Sequence, residues 1–347
     1  MKKYLKTIVK FLIFMSLGAL LFWLVYRGQN FGRIFDAISE VRWGWVAAAV
    51  LLSVAAHYSR ALRWGLLLEP FGYKPRRGNL FFAVMIMYFA NMAIPRSGEV
   101  ARCGVLAKYE RISFSRSLGT VVIERVADVI VFAAVAAVVF ATQIDVVGRV
   151  LDNNPSVLQY WQSFENHIVL IILAGVALVG LGFWTLRTAI KRNWFGLGDR
   201  LRKAFHNLKD GMLTIAGLKK RWQFVAHSLF INFVYFYTVY LFFNAFPFTE
   251  HLGLMVALTV FVLGTFGVIV PSPGGIGTWH FIVIEVLALY GVVRDPDGGA
   301  YALVSHGMQD LLFAVVGMVA MIVMPFFNND YQPLMPDETP PDVKEDN

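Results

Sequence analysis

Apolar runs long enough to cross a membrane, about 20 residues each, alternate with short polar connections along this chain. They lie at roughly 8–26, 43–66, 117–142, 167–187, 223–246, 252–270 and 300–327. Two shorter runs, at 79–95 and 276–292, sit beside breaks rich in proline and glycine. Between the first two spans, Phe31, Ile34, Phe35, Ile38 and Val41 recur at helical spacing. That spacing predicts an amphipathic helix lying at the interface instead of crossing it. The pattern as a whole predicts an all-α, polytopic membrane bundle with two broken segments.

Composition agrees with the pattern. The chain is 57% hydrophobic and 16% charged, against about 25% charged in a soluble protein. One membrane domain is expected over 1–327, with no room for a separate soluble catalytic domain. The net charge of +8 collects in the connections between apolar runs, where it sets topology and meets anionic inner-leaflet headgroups. Nucleic acid is therefore not an expected partner. The connection at 188–222 carries Lys191, Arg192, Arg200, Arg202, Lys203, Lys209, Lys219, Lys220 and Arg221 against Asp199 and Asp210. It is expected to be cytoplasmic, its stripe of Leu201, Phe205, Leu208, Met212 and Ile215 lying on the inner leaflet. The segment 143–166, with Arg149 as its one basic residue, is expected outside. Lys2, Lys3, Lys6 and Lys10 place the N-terminus in the cytoplasm. The first run ends at Tyr26-Arg27 without a small-residue cleavage pattern and is expected to stay as a helix. The acidic, proline-rich stretch 328–347 is expected to be a disordered tail. Cys103, the single cysteine, excludes an intrachain disulfide.

The run at 79–95 poses a topological conflict. Lys74, Arg76 and Arg77 precede it, and Arg96, Arg102, Lys108, Arg111 and Arg116 follow. Both flanks claim the cytoplasmic side, which a re-entrant segment satisfies and a single span does not; the alternative is that the basic residues after Pro95 are functional and override topology. Backbone that leaves the helix at membrane depth needs protein or a water-filled cavity around it. The second break, GVIVPSPGGIGTWH over 267–280, contains Pro271, Pro273, Gly274, Gly275 and Gly277. Ala-Ile-Pro95-Arg-Ser-Gly98 and Ile-Val-Pro271-Ser-Pro-Gly274 share proline and glycine at the same spacing. An inverted repeat produces such a likeness, and so does chance. Interrupted hydrophobic segments in corresponding halves point to a transporter site.

Charged residues near these breaks are the candidate site. Arg96, Glu99 and Arg102 are three apart, as neighbours on one helix face are. Such a group suits a phosphate clamp, because guanidinium binds phosphate bidentately; an ordinary cytoplasmic loop with ion pairs is the alternative. Glu124 and Asp128 stand four apart within the next apolar run, with Arg125 beside them. They form a structural ion pair with Arg60 or Arg63, or they serve substrate or protons. Asn91, Gly274, Gly275, Gly277 and His280 complete the expected substrate site, with Glu285, His306 and Asp310 as supporting or proton-responsive groups. No H-E-x-x-H pattern or nucleotide motif occurs, so neither metal nor cofactor is expected.

With these residues the chain resembles the flippase-like transmembrane domain of lysylphosphatidylglycerol synthases. The resemblance rests on Arg60-Ala-Leu-Arg63-Trp64, on Asn91, Pro95, Arg96, Gly98, Glu99 and Arg102, on Glu124, Arg125 and Asp128, and on Pro271-Ser-Pro-Gly-Gly-Ile-Gly277. It extends from about residue 10 to 327. Relatives often place a glutamate just after the glycine-rich turn; here Trp279-His280 follow, and Glu285 comes later. The resemblance implies a lipid translocase of a bacterial cytoplasmic membrane, not an enzyme, whose partner is a phospholipid or a lipid-linked anionic molecule. The alternative is an integral-membrane transferase using Glu99, Glu124 or Asp128 as base. Assembly as a homo-oligomer is compatible with either.

Overall fold

The computed structural model describes residues 16, 19–152, 217–269, 272–331 and 333. The expected span at 167–187, most of the basic connection at 188–222 and nearly all of the tail lie outside these residues, as does Pro271. The described residues are helical throughout, with no strand among them. A short helix over 19–26 (α1) is followed by Phe31–Ser39 (α2) and by Trp43–Leu68 (α3). The chain continues through Arg77–Ala93 (α4), Gly98–Tyr109 (α5), Phe114–Thr142 (α6) and Ile144–Asp152 (α7). After the gap come Arg221–Ala245 (α8), Leu254–Ile269 (α9), Thr278–Leu289 (α10) and Gly299–Phe327 (α11). Three helical stretches, Trp43–Phe71, Arg221–Ala245 and Arg294–Phe327, are long and apolar enough to cross a membrane.

Contacts at the helix ends sort the connections into two groups. Lys220 pairs with Glu69 at 2.8 Å, and the Arg42 amide donates to the Ala245 carbonyl at 2.9 Å, so α3 and α8 run antiparallel. At the Glu69 end, Arg76 donates to the Phe327 carbonyl at 3.1 Å and Asn79 bonds Asn328 at 2.7 Å. At the other end, the Tyr26 hydroxyl reaches the Gly299 carbonyl at 3.2 Å. One end of the bundle thus carries Lys74, Arg76, Arg77, Lys108, Arg111, Lys219, Lys220 and Arg221. At the other, Arg27, Arg33, Arg42 and Arg294 are balanced by Asp36, Glu40, Glu250, Asp295 and Asp297.

The two broken segments form helical hairpins that open towards opposite ends. In the first, α4 has 17 residues and α5 has 12, so at 1.5 Å per residue both fall short of a hydrocarbon core about 30 Å thick. Their open ends meet at the basic end, where Glu110 accepts from the Arg76 amide at 3.0 Å and from Asn79. In the second, the open ends of α9 and α10 both reach the far end of α6. Tyr290 donates to Gln143 at 2.9 Å, and Thr142 meets Met255 at 3.7 Å. Each hairpin has its own packed core. Trp64, Leu68, Leu80, Met87, Cys103 and Leu106 fill the first; Tyr26, Phe243, Phe246, Val283, Leu287 and Tyr301 fill the second.

The first tip is held by local polar chemistry. The Gly98 amide donates to Asn91 Oδ1 at 2.7 Å, and the Ser97 hydroxyl donates to the Ala90 carbonyl at 3.0 Å. A Cβ on Gly98 would stand 2.1 Å from the Met87 carbonyl oxygen, an atom fixed in the α4 ladder. Gly98→Ala is therefore expected to destabilise by about 1–3 kcal/mol, the usual cost of overpacking. Gly104→Ala, with nothing within 4 Å of its Cβ position, is expected to be neutral or slightly stabilising. Melting temperatures of the two purified variants check this, and equal values would refute the close approach.

Candidate functional site

A cavity of about 550 Å³ lies where the two hairpin tips meet, within the size range of small-ligand sites. Asn91, Pro95 and Arg96 line it from the first tip, and Ser272, Gly274 and Gly275 from the second. Proline stops each incoming helix, and glycine allows the left-handed backbone that the second tip requires: φ is 61° at Gly274 and 84° at Gly275. Arg96 is also left-handed, at φ 62°, a conformation uncommon outside glycine.

Behind the first tip stands a buried ion-pair cluster. Arg60 Nη1 meets Glu124 Oε1 at 2.9 Å and Asp128 Oδ2 at 3.0 Å. Arg63 reaches Glu124 at 3.1 Å and Asp128 at 2.6 Å, and donates to Ser228 Oγ at 2.9 Å. Arg102 Nη1 closes the set on Glu124 Oε2 at 3.0 Å, with its guanidinium 4.6 Å from the Trp64 ring. Three arginines thus face two carboxylates, and Glu124, Arg63 and Arg102 are wholly buried. The arrangement ties α3, α5, α6 and α8 together. It keeps a surplus of positive charge beside the cavity, since Arg60 lines the cavity as well. Arg125 is half-exposed, 3.7 Å from Glu99 and 4.0 Å from Asp128.

Aromatic rings form a neighbouring part of the wall, with the Arg60 guanidinium 6.0 Å from the Tyr235 ring. Tyr88 stacks on Phe313 at 4.4 Å with the planes 7° apart, and its hydroxyl meets that of Tyr235 at 3.0 Å. His57 packs on Tyr88 at 4.6 Å, with neither ring nitrogen hydrogen-bonded among the described residues. Gln309 donates to Ser53 at 2.8 Å. At the second tip, His306 contacts the Gly274 carbonyl at 3.0 Å and Asp310 at 3.3 Å. The cavity therefore carries Arg60, Arg96 and Arg125, with Glu99 beside Arg125, and an anionic corner at Asp310.

The sequence profile of the lysylphosphatidylglycerol synthase TM region matches residues 7–317. The chain belongs to that family. This lysylphosphatidylglycerol synthase TM-region protein is 24% identical over 321 residues to a UPF0104 membrane protein of Methanothermobacter thermautotrophicus, covering 86% of this chain and 90% of the relative. A UPF0104 membrane protein of Methanocaldococcus jannaschii is 22% identical over 340 residues, covering 93% and 95%. A 95-residue stretch is 30% identical to the glycosyltransferase AglD of Haloferax volcanii, covering 27% of this chain and 15% of AglD. Family and helices together make it a multi-pass membrane protein.

In this lysylphosphatidylglycerol synthase TM-region protein the expected site residues divide into three groups. Asn91, Arg96, Glu99, Arg125, Gly274 and Gly275 line the cavity, as do Arg60, His306 and Asp310. Arg63, Arg102, Glu124 and Asp128 form the cluster behind it. Gly277, His280 and Glu285 lie elsewhere. Gly277, at φ 87°, lets the hairpin approach α1, where a Cβ would come 2.5 Å from that of Leu21. His280 packs against Tyr26 and Phe22, and Glu285 takes two hydrogen bonds of 2.9 Å from Arg294. The common helix face expected for Arg96, Glu99 and Arg102 does not form. Pro95 breaks the helix, Arg96 sits in the turn before α5 begins at Gly98, and Arg102 turns inward. Tyr88, Tyr235 and Phe313 were not singled out by the sequence, because aromatic residues inside apolar runs look like lipid-facing ones. Tyr88, three residues before Asn91, offered the only local signal.

Proposed function

We propose that this protein is a lipid translocase that moves a phospholipid or a lipid-linked anionic molecule between membrane leaflets. The headgroup phosphate binds at Arg96 and Arg125 with Arg60 behind them, while the acyl chains stay in the bilayer. One observation carries the reading. An apolar groove of about 460 Å³, lined by Leu118, Val121, Val122, Val126, Val129 and Ile130, shares Glu99 and Arg125 with the cavity. A chamber that carries Arg60, Arg96 and Arg125 and adjoins an apolar surface groove has the two-part chemistry of a lipid. Val126, Val129 and Ile130 are exposed at 51%, 64% and 64%, as groove walls facing acyl chains would be. Membership of the lysylphosphatidylglycerol synthase TM-region family supports a lipid or lipid-linked substrate. The basic end of the bundle faces the cytoplasm of the cell membrane in this reading, by the excess of Lys and Arg there. The first hairpin then enters from the cytoplasm, the second from outside, and the cavity lies at the middle.

Reconstitution of the full chain into phosphatidylethanolamine vesicles with a minority of tail-labelled phosphatidylglycerol tests this. Quencher added outside should reach label that began in the inner leaflet. Val126→Trp, which fills the groove without entering the core, is expected to slow exchange several-fold while leaving the melting temperature unchanged. Label that stays in its leaflet, for anionic and zwitterionic headgroups alike, would refute translocation.

A further inference from the structure

His306 and Asp310 are placed so that their contacts require an extra proton. His306 Nε2 lies 3.0 Å from the Gly274 carbonyl oxygen, and Nδ1 lies 3.3 Å from Asp310 Oδ2, one helical turn along α11. A carbonyl oxygen only accepts hydrogen bonds, and so does an ionised carboxylate. Neutral imidazole has a single N–H, so either tautomer aims a lone pair at one of these oxygens. Both contacts are satisfied together only when the imidazole carries two protons or Asp310 carries one. The side chains are 11% and 18% exposed, which leaves little water to relieve the mismatch. Both still line the cavity, so a proton has a route in and out.

The surroundings single out this pair. Among the described residues, His280 of α10 is the titratable ring packed on His306, 4.7 Å between centroids, and its Nδ1 faces the Gly277 amide at 3.3 Å. The cavity is also lined by His57 and Arg60 of α3, Tyr88 of α4, Glu99 of α5, Arg125 of α6, Tyr235 of α8, Tyr301 of α11 and Arg96 of the first tip. None of these has an ion pair or hydrogen bond to His306 or Asp310 among the described residues. The pair also touches a part of the second hairpin tip with left-handed glycine backbone, Gly274 at φ 61° and Gly275 at φ 84°.

We propose that His306 and Asp310 form a proton-binding site that pins the tip of the second hairpin, and that releasing its proton frees the tip to move. In the loaded state one N–H holds the Gly274 carbonyl and the other meets the Asp310 carboxylate. On release the proton passes from Nε2 to water in the cavity, and Nδ1–H stays on the Asp310 carboxylate. The neutral ring then turns an Nε2 lone pair on the Gly274 carbonyl oxygen and repels it. Because the cavity lies between hairpins that open to opposite ends, a proton that governs one tip governs access from one side. The site would couple proton movement to transport whatever the cargo, and it stands apart from the lipid reading.

Thiol accessibility at the tip tests the proposal without any substrate. The full-length protein carries Cys103→Ser and Ser272→Cys and is labelled with a water-soluble maleimide between about pH 5 and 8, the range in which histidine changes charge. Rates are divided by those of a Trp222→Cys protein, a position 79% exposed, to remove the thiol's own pH dependence. With the pair intact, the ratio is expected to rise roughly three- to tenfold with pH, as for the loss of one hydrogen bond. His306→Gln keeps an amide donor for the Gly274 carbonyl at every pH. Asp310→Asn offers Nδ1 an N–H without any added proton. Each is expected to flatten the ratio, and a melting curve shows which variant is folded, so that either alone decides. A flat ratio with the pair intact, or a step that persists in a folded variant, overturns the proposal.

Discussion

Glu124→Gln is expected to cost about 3–5 kcal/mol, the usual penalty for breaking a buried ion pair from one side. Glu124 accepts from Arg60, Arg63 and Arg102 at 2.9, 3.1 and 3.0 Å, and it is completely buried. A glutamine keeps one acceptor oxygen but turns an N–H₂ towards one of these donors. It also leaves Asp128 as the sole counter-charge to three guanidiniums, of which Arg63 and Arg102 are wholly buried. Arg102 already has Nε and Nη2 without partners, so it has no alternative acceptor to turn to. The double variant Glu124→Gln/Arg102→Met removes one buried cation together with the lost anion. It is expected to recover part of the stability, a non-additivity that marks direct coupling. Thermal melting of the purified protein and its yield in the membrane measure both effects. An unchanged melting temperature in Glu124→Gln would show that the cluster is not what joins α3, α5 and α6.

Arg96→Gly is expected to separate function from stability. Arg96 holds φ at 62°, a conformation that costs a non-glycine residue about 1 kcal/mol or more and glycine almost nothing. Among the described residues its guanidinium has no ion pair, and it lines the cavity. Removing the side chain should therefore leave the fold as stable or slightly more stable. Loss of a charge-assisted hydrogen bond should weaken binding of an anionic lipid by roughly ten- to a hundredfold. Arg96→Lys keeps the charge but loses the planar fork, and an intermediate loss is expected. Melting temperature and binding of phosphatidylglycerol to the same preparations give the two readouts. Full binding by a folded Arg96→Gly protein would remove this residue from the site.

The local signals in this sequence had local causes. Apolar runs mark helices because in lipid every backbone polar group must be satisfied within the segment. α3, α6, α8 and α11 accordingly lie within a few residues of the runs at 43–66, 117–142, 223–246 and 300–327. Proline and glycine act on their own backbone, so the breaks at Pro95–Gly98 and at Pro273–Gly277 were legible as such. Basic residues on both sides of 79–95 went further and indicated a segment with its two ends together, although the return runs through α5, so that Arg96 and Arg102 of the second flank lie at the tip and within α5 and not at the basic end. The Glu110 contacts to Arg76 and Asn79 show that arrangement directly.

Direction around each helix was not legible, and the composition of the cavity depends on it. A helix in lipid has no polar face to distinguish outside from inside, because lipid tails are as apolar as leucine. Nothing in the sequence therefore separated Tyr88 and Tyr235, which face the cavity, from Val129 and Ile130, which face outward. Partners distant in the chain were equally hidden. Arg60 and Glu124 are 64 residues apart, and Arg63 and Ser228 are 165 apart. That Arg102 would be enclosed in that cluster while Arg96 stayed free at the tip depended on the turn at Pro95. Sequence determined that charges lie within and beside apolar runs at two broken helices; only the packing of α3, α5, α6 and α11 around the tips decided which are neutralised by one another and which stay unpaired at the cavity.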